Sequence, residues 1–262
     1  MCSPGIIKEV RQQLSRRRFI TALGVAGAAV SAAPSAAQQK PVRLPNGFRN
    51  VYDLTHTFSP RLPVYSAFRP VQIRQRFSME KNGFFANEVT FDEHTGTHMD
   101  APLHFIAGGV SADRLPAERL IAPLAVVSIA ARAAKDPDTL VTVDDLLAWE
   151  KRHRRLPAGA VVAMHSGWDM KNTAHAPGFS EAAARFLVNE RDIFGVGVDT
   201  LSLDAAVAQK FVAHLAFLGA GKYGVELLAN LGSVPPAGAT IILGAPKHEG
   251  ASGGPVRALA VA

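Results

Sequence analysis

Cysteine is almost missing from this 262-residue chain: Cys2 is the only one. A lone thiol forms no internal disulfide and no Cys-based zinc site, and its place at the extreme N-terminus excludes a catalytic cysteine. Aromatic residues are sparse at 7% and charged residues modest at 19%, against 48% hydrophobic, the balance of an ordinary globular chain. The apolar run from Ile20 to Ala33 falls short of the ~20 residues needed to span a bilayer. Nucleotide-binding loops are absent too. Gly221-Lys222 has Ala216 where a phosphate loop needs its first glycine and Tyr223 where it needs Ser or Thr. Gly195-Val196-Gly197 lacks the third glycine of a dinucleotide fingerprint.

The net charge of +6 suggests a polyanion partner until it is located. Residues 1–37 carry Lys8, Arg11, Arg16, Arg17 and Arg18 against the single acid Glu9, which leaves 38–262 at +2. The body therefore makes no case for nucleic acid. The leader has the order of an export signal: a basic segment, a short apolar run and the small residues Ser35-Ala36-Ala37. Its string Ser15-Arg16-Arg17-Arg18-Phe19-Ile20 resembles a twin-arginine signal. The expectation is a cleaved leader, 1–37, and one domain, 38–262, that is periplasmic or secreted with no membrane span after cleavage.

Short β-branched or alternating segments at 51–56, 71–78, 84–92, 124–130, 160–165, 193–198, 239–243 and 256–261 predict strands. Asp144–Arg152 and Ser180–Glu190 predict helices, the second with Ser180 as N-cap. Helices that each precede a strand imply α/β units around a mixed sheet.

The chemistry concentrates in Glu93-His94-Thr95-Gly96-Thr97-His98-Met99-Asp100-Ala101-Pro102-Leu103-His104-Phe105, which holds three of the nine histidines and a carboxylate between them. His and Asp are ligands for a borderline divalent ion such as Zn²⁺ or Mn²⁺. His94 and His98 would share a helix face, but Gly96, two threonines and Pro102 disfavour a helix. A strand end running into a rigid loop aims positions 94, 98, 100 and 104 to one side equally well.

H-T-G-T-H-x-D-x-P-x-H-F resembles the hallmark of the metal-dependent hydrolases called the cyclase family, kynurenine formamidase and isatin hydrolase among them. Asp53-Leu54-Thr55-His56, Met164-His165-Ser166-Gly167-Trp168, Gly197 to Asp204 and Gly253-Gly254-Pro255-Val256-Arg257 are similar to its other segments. His165 departs from the family's commoner Thr. The resemblance implies an α/β fold with a central mixed, barrel-like sheet flanked by helices, and a homodimer or higher homo-oligomer. It also implies one metal on His94, His98 and Asp100, and a second that shares Asp100 and adds His214 and Glu226. His104 would be the general acid/base. His56 and His165 would face the cavity, and Tyr65, Phe105 and Trp168 are candidates for stacking on an aromatic substrate or for the core. His153, His175 and His248 read as surface or loop residues.

Amide hydrolysis at neutral pH needs an activated water and a charge partner for the oxyanion, and one or two divalent ions supply both. The expected activity is thus hydrolysis of a C–N bond in a small cyclic amide or aryl formamide, with the export signal favouring isatin-like lactams. The alternatives are a lactone or ester hydrolase and a periplasmic metal- or ligand-binding relative without turnover.

Overall fold

The computed structural model describes residues 47–262, so the expected leader lies outside the described residues. Contacts divide the chain into two units. One includes the hairpin Ile73–Val89; the other takes in residues 47–72 and 90–262. The chain enters through β1 (Val51–Asp53) and reaches the hairpin strands β2 (Gln72–Phe77) and β3 (Ala86–Thr90), joined through the single turn α1 (Met79–Asn82). Ser78 caps that turn by accepting from the Lys81 amide, and Gly83 closes it at φ +78°. Glu88 pairs with both Arg74 and Arg76 across the hairpin, at 2.9 and 2.7 Å.

The second unit carries a nine-stranded mixed sheet. Besides β1 it contains β4 (His98–Asp100), β5 (Ile121–Ser128), β7 (Val161–His165), β9 (Gly195–Val198), β10 (Tyr223–Glu226), β11 (Ala239–Gly244), β12 (Gly253–Pro255) and β13 (Arg257–Val261). A separate two-stranded sheet pairs β6 (Leu140–Val141) with β8 (Gly178–Phe179). The large sheet runs β1-β13-β11-β5-β7-β9-β10-β4-β12. Its centre, β5-β7-β9-β10, is parallel because a helix returns the chain between successive strands. These are α3 (Val143–His153), α4 (Glu181–Glu190) and α5 (Val212–Gly219); α2 (Ala130–Ala133) is a single turn after β5. The outer pairs are antiparallel. β12, at one end of the order, runs through Val256 straight into β13, next to the other end. That continuity requires the sheet to curl towards itself, as a half-barrel.

Side-chain alternation splits the core in two. Leu124 and Val126 of β5, with Val161 and Ala163 of β7 and Val225 of β10, pack in one cluster. Ala125, Val127, Val162 and Met164 point the other way, onto Leu146, Leu187 and Phe217 of the helices. All eight segments expected as strands hold strands, and the two expected helices form with one-residue adjustments. Thr142 and Asp145 make a reciprocal capping box on α3, and Ser180 caps α4. Strand β4 falls within the motif read as a strand end entering a loop, whereas β6, β8, β10 and helix α5 lie outside the expected segments. Helix α5 reads V-A-H-L-A-F-L-G, apolar nearly all round, so it has no amphipathic period to detect.

Candidate metal centre

The site lies on the helix-facing side of the sheet, where β4 and β10 run antiparallel with Glu226 opposite His98 and Gly224 opposite Asp100. Period-two alternation puts His98, Asp100 and Glu226 on one face, while Met99 and Val225 turn into the opposite core. Asp100 has a glycine beside it on either strand, Gly224 on β10 and Gly253 on β12. A Cβ at 224 would stand 3.3 Å from Asp100 Oδ2, and one at 253 would stand 2.6 Å from His94 Cε1. The two glycines therefore make room for the charged cluster. His94 comes from the loop before β4, where Gly96 turns the chain at φ +69°. His214 is the third residue of α5.

The donor atoms converge. His98 Nε2 lies 3.3 Å from Asp100 Oδ1 and 3.3 Å from Glu226 Oε2. His214 Nε2 lies 3.1 Å from Glu226 Oε1 and 3.5 Å from Asp100 Oδ2. His94 Nδ1 lies 2.7 Å from Asp100 Oδ1. Each imidazole is anchored through its other nitrogen: His98 Nδ1 on the Gly96 carbonyl at 2.8 Å, His214 Nδ1 on Asp204 at 2.6 Å, and His94 Nε2 on Ser252 Oγ at 2.8 Å. Such anchors fix ring orientation and leave the inward nitrogen free to ligate. Asp204 also accepts from the Ala213 and His214 amides and so caps α5, while Ser252 donates to Glu93. These supporting groups were not singled out from the sequence. Asp204 stood inside a quoted motif, ten residues before His214, but nothing in its spacing marks it as an anchor.

Six buried ionisable side chains, His94, His98, Asp100, Asp204, His214 and Glu226, with no balancing lysine or arginine make an unusual interior. Burial works against charge on His98, yet Asp100 and Glu226 outweigh it and raise its pKa to about 10. His214 is likewise raised against burial by Asp100, Asp204 and Glu226, and Asp100 is held well below the carboxylate range despite its burial. Even so, His98 Nε2 and Asp100 Oδ2 have no hydrogen-bond partner. Two buried orphan donor atoms of ligand type, in a group that draws His98, Asp100 and Glu226 together, fit a divalent cation. The residue after Glu226, fully buried Leu227, sits at φ +53°, a strained conformation for a leucine held where the chain leaves the cluster.

His104 follows β4 on a 3-10 turn opened by Pro102. Its ring stacks on His94 with centroids 3.6 Å apart, and its nitrogen comes within reach of His94 and Asp100. Burial, with His94 and His214, lowers it to about 4 against the pull of Asp100 and Glu226, so the ring is neutral near pH 7.

A cavity of about 210 Å³ opens onto the cluster, with His94, His98, His104, His214 and Glu226 in its wall. Tyr65 and Phe105 line it as well, joined by Phe68 and Phe211, which the sequence had not marked. Phe105 stacks on His214 at 4.6 Å. Three other expected contacts lie elsewhere. His56 donates its backbone amide to Thr97 and is absent from this wall, and its pKa is lowered by burial. His165 bonds Ser128 at the end of β7 and packs against Gly232. Trp168 gives its indole N–H to the carbonyls of Asn172 and His175 and lines a neighbouring cavity.

Residues 52–205 match the family model described as "Putative cyclase". Isatin hydrolase of Roseibium aggregatum is 33% identical over 248 residues, 84% of this chain and 94% of the relative. The chain belongs to the cyclase family. Kynurenine formamidase of Bordetella avium is 26% identical over 70% of this cyclase-family chain and 83% of its own length. The structure of isatin hydrolase A from Labrenzia aggregata, bound to benzyl benzoate, superposes with a TM-score of 0.77 at 32% identity, covering 81% of this chain and 93% of that one. The relatives are thus amidohydrolases, and in this cyclase-family member the buried His/Asp/Glu cluster is of the type that suits a divalent metal.

Proposed function

We propose that the chain is a metal-dependent hydrolase that opens the C–N bond of a small cyclic amide or an aryl formamide, with isatin-like lactams favoured over formylkynurenine. The observation that carries this reading is the pair of orphaned buried donors: His98 Nε2, whose residue lines an aromatic-walled cavity, and Oδ2 of the adjoining Asp100. His94, His98 and Asp100 would hold one ion, and Asp100, His214 and Glu226 a second. Bound divalent metal supplies Lewis-acid polarisation of the carbonyl and water of lowered pKa.

The chain's own residues do the rest. His104, neutral at pH 7 and stacked beside the ligand His94, takes a proton from water and returns it to the departing nitrogen. Water oxygen joins the carbonyl carbon, the C–N bond breaks, and nitrogen leaves protonated. The cavity's small volume, below the ~300 Å³ at which pockets for drug-sized ligands begin, suits a fused bicyclic amide. Phe105 and Tyr65 in its wall support an aryl group.

The test is elemental analysis of the purified full chain together with isatin and N-formylaniline hydrolysis before chelation, after chelation and after refilling with Mn²⁺ or Zn²⁺. One or two ions per chain, and turnover that disappears and returns with them, are expected. Full turnover in metal-stripped protein overturns the reading.

A further inference from the structure

A second cavity, about 400 Å³, adjoins the one above the His/Asp/Glu cluster, and the two share Val64, Tyr65, Leu201, Ser202 and Phe211 as a common wall. The larger space is the one farther from the chemistry. Its lining is mainly small and apolar, with Ala174, Ala176, Ala205, Ala206 and Ala208, and holds no lysine or arginine. Its one carboxylate, Asp204, is already engaged by His214 and the Ala213 amide. Trp168 contributes a ring whose N–H is already bonded to backbone. The hydroxyls of Tyr65, Ser66, Thr173 and Ser202 are its remaining polar side-chain groups, no cation faces a charged substituent there, and the alanines offer a surface for carbon.

The partition is thin. Tyr65 and Phe211 meet edge-on with centroids 6.4 Å apart, and both are substantially exposed, at 47% and 39%. Phe211 also meets Phe105 and His214 edge-on and Tyr65 leans on Phe68, so the partition consists of exposed aromatic rings, a class of side chain whose rotamers interconvert quickly.

We infer that the substrate is bipartite: its amide sits in the small cavity against the cluster, and an uncharged apolar arm, aryl or alkyl, passes Tyr65 and Phe211 into the larger one. This inference rests on the amide-hydrolase reading and names the shape of its substrate. Burying an added phenyl ring is worth a tenfold gain or more in transition-state binding.

Isatin and the four isatins carrying a phenyl group at C4, C5, C6 or C7 provide the probes, with the full chain loaded with Mn²⁺. At least one phenyl isatin is expected to exceed isatin in kcat/KM at least tenfold. Ala206 and Ala208 are exposed and line only the larger cavity, so Ala206→Trp and Ala208→Phe fill it from its outer side. In whichever variant keeps the wild-type melting temperature, the ratio of extended to compact substrate is expected to fall at least tenfold. If isatin is hydrolysed but no phenyl isatin surpasses it, or the ratio survives both substitutions, the bipartite substrate is wrong and the hydrolase reading stands. If the metal-loaded wild type hydrolyses none of the five, the hydrolase reading itself fails.

Discussion

His104 and Asp100 both touch His94, one by stacking at 3.6 Å and the other by a 2.7 Å contact to Nδ1, yet their chemistry differs. Asp100 is fully buried among three anchored imidazoles and carries an orphan oxygen; His104 is partly open to the cavity and neutral. Asp100→Ala should therefore lose bound metal and turnover together. His104→Ala should keep the metal and lose about 10²–10⁴ in kcat, the usual worth of a positioned acid/base. Elemental analysis beside kinetics separates them, and a His104→Ala protein without metal would make His104 a ligand instead. The acid–base balance of the cluster yields a second prediction. With its pKa raised to about 10, His98 keeps its proton through the neutral range in metal-free protein. Ligation needs the lone pair that proton occupies, so metal and proton compete below pH 10. Metal affinity should weaken as pH falls from about 9 to 6, by up to tenfold per unit for each proton displaced. Calorimetric titration of stripped protein at pH 7, in buffers of unequal ionisation heat, counts the protons released. A count of zero would contradict the pairing of His98 with Asp100 and Glu226.

At the level of elements, the long periodic ones were legible and the ones that carry the site were not. Segments such as 124–130 and 160–165 are short apolar runs, as strands covered on both faces require, and α3 and α4 announce themselves through their acidic first turns, the second also through Ser180. β4 and β10 are three and four residues long, and four of their seven residues are ligands or glycine, so no hydrophobic period survives in them. The ligands were found by composition, from three histidines and an aspartate in eleven residues, and by family likeness for His214 and Glu226. Their anchors Asp204, Ser252 and the Gly96 carbonyl are set by packing, which spacing does not encode. The need for glycine next to Asp100 is likewise visible only in the register. It predicts that Gly253→Ala drives a methyl group into His94 and the Met99 carbonyl on β4. Overpacking of this kind costs about 1–3 kcal/mol. Urea unfolding should show a loss of that size together with weaker metal binding. A Gly253→Ala protein of wild-type stability and metal content would mean that β12 can slide without disturbing the site.

The whole molecule brings its ligands from distant stretches: His94, His98 and Asp100 around β4, His214 on α5, Glu226 on β10. No part of the chain short of the folded sheet presents all five, so the site exists only after folding. We propose that the leader is a twin-arginine signal, whose receptor passes folded proteins; export by that route would let the site assemble first. Charge fits the same division of labour. The complete chain has a pI of about 9.7, but most of its excess positive charge lies before residue 38. In a bacterium with a working twin-arginine route, the protein recovered outside the cytoplasm should begin at Gln38, and its intact mass should correspond to residues 38–262. Replacing the arginine pair by lysines, Arg16→Lys with Arg17→Lys, should keep the full-length chain inside. Edman sequencing and intact mass of each cell fraction decide the matter, and a full-length chain retained in the cytoplasm of the wild-type strain would mean that the basic leader serves another purpose.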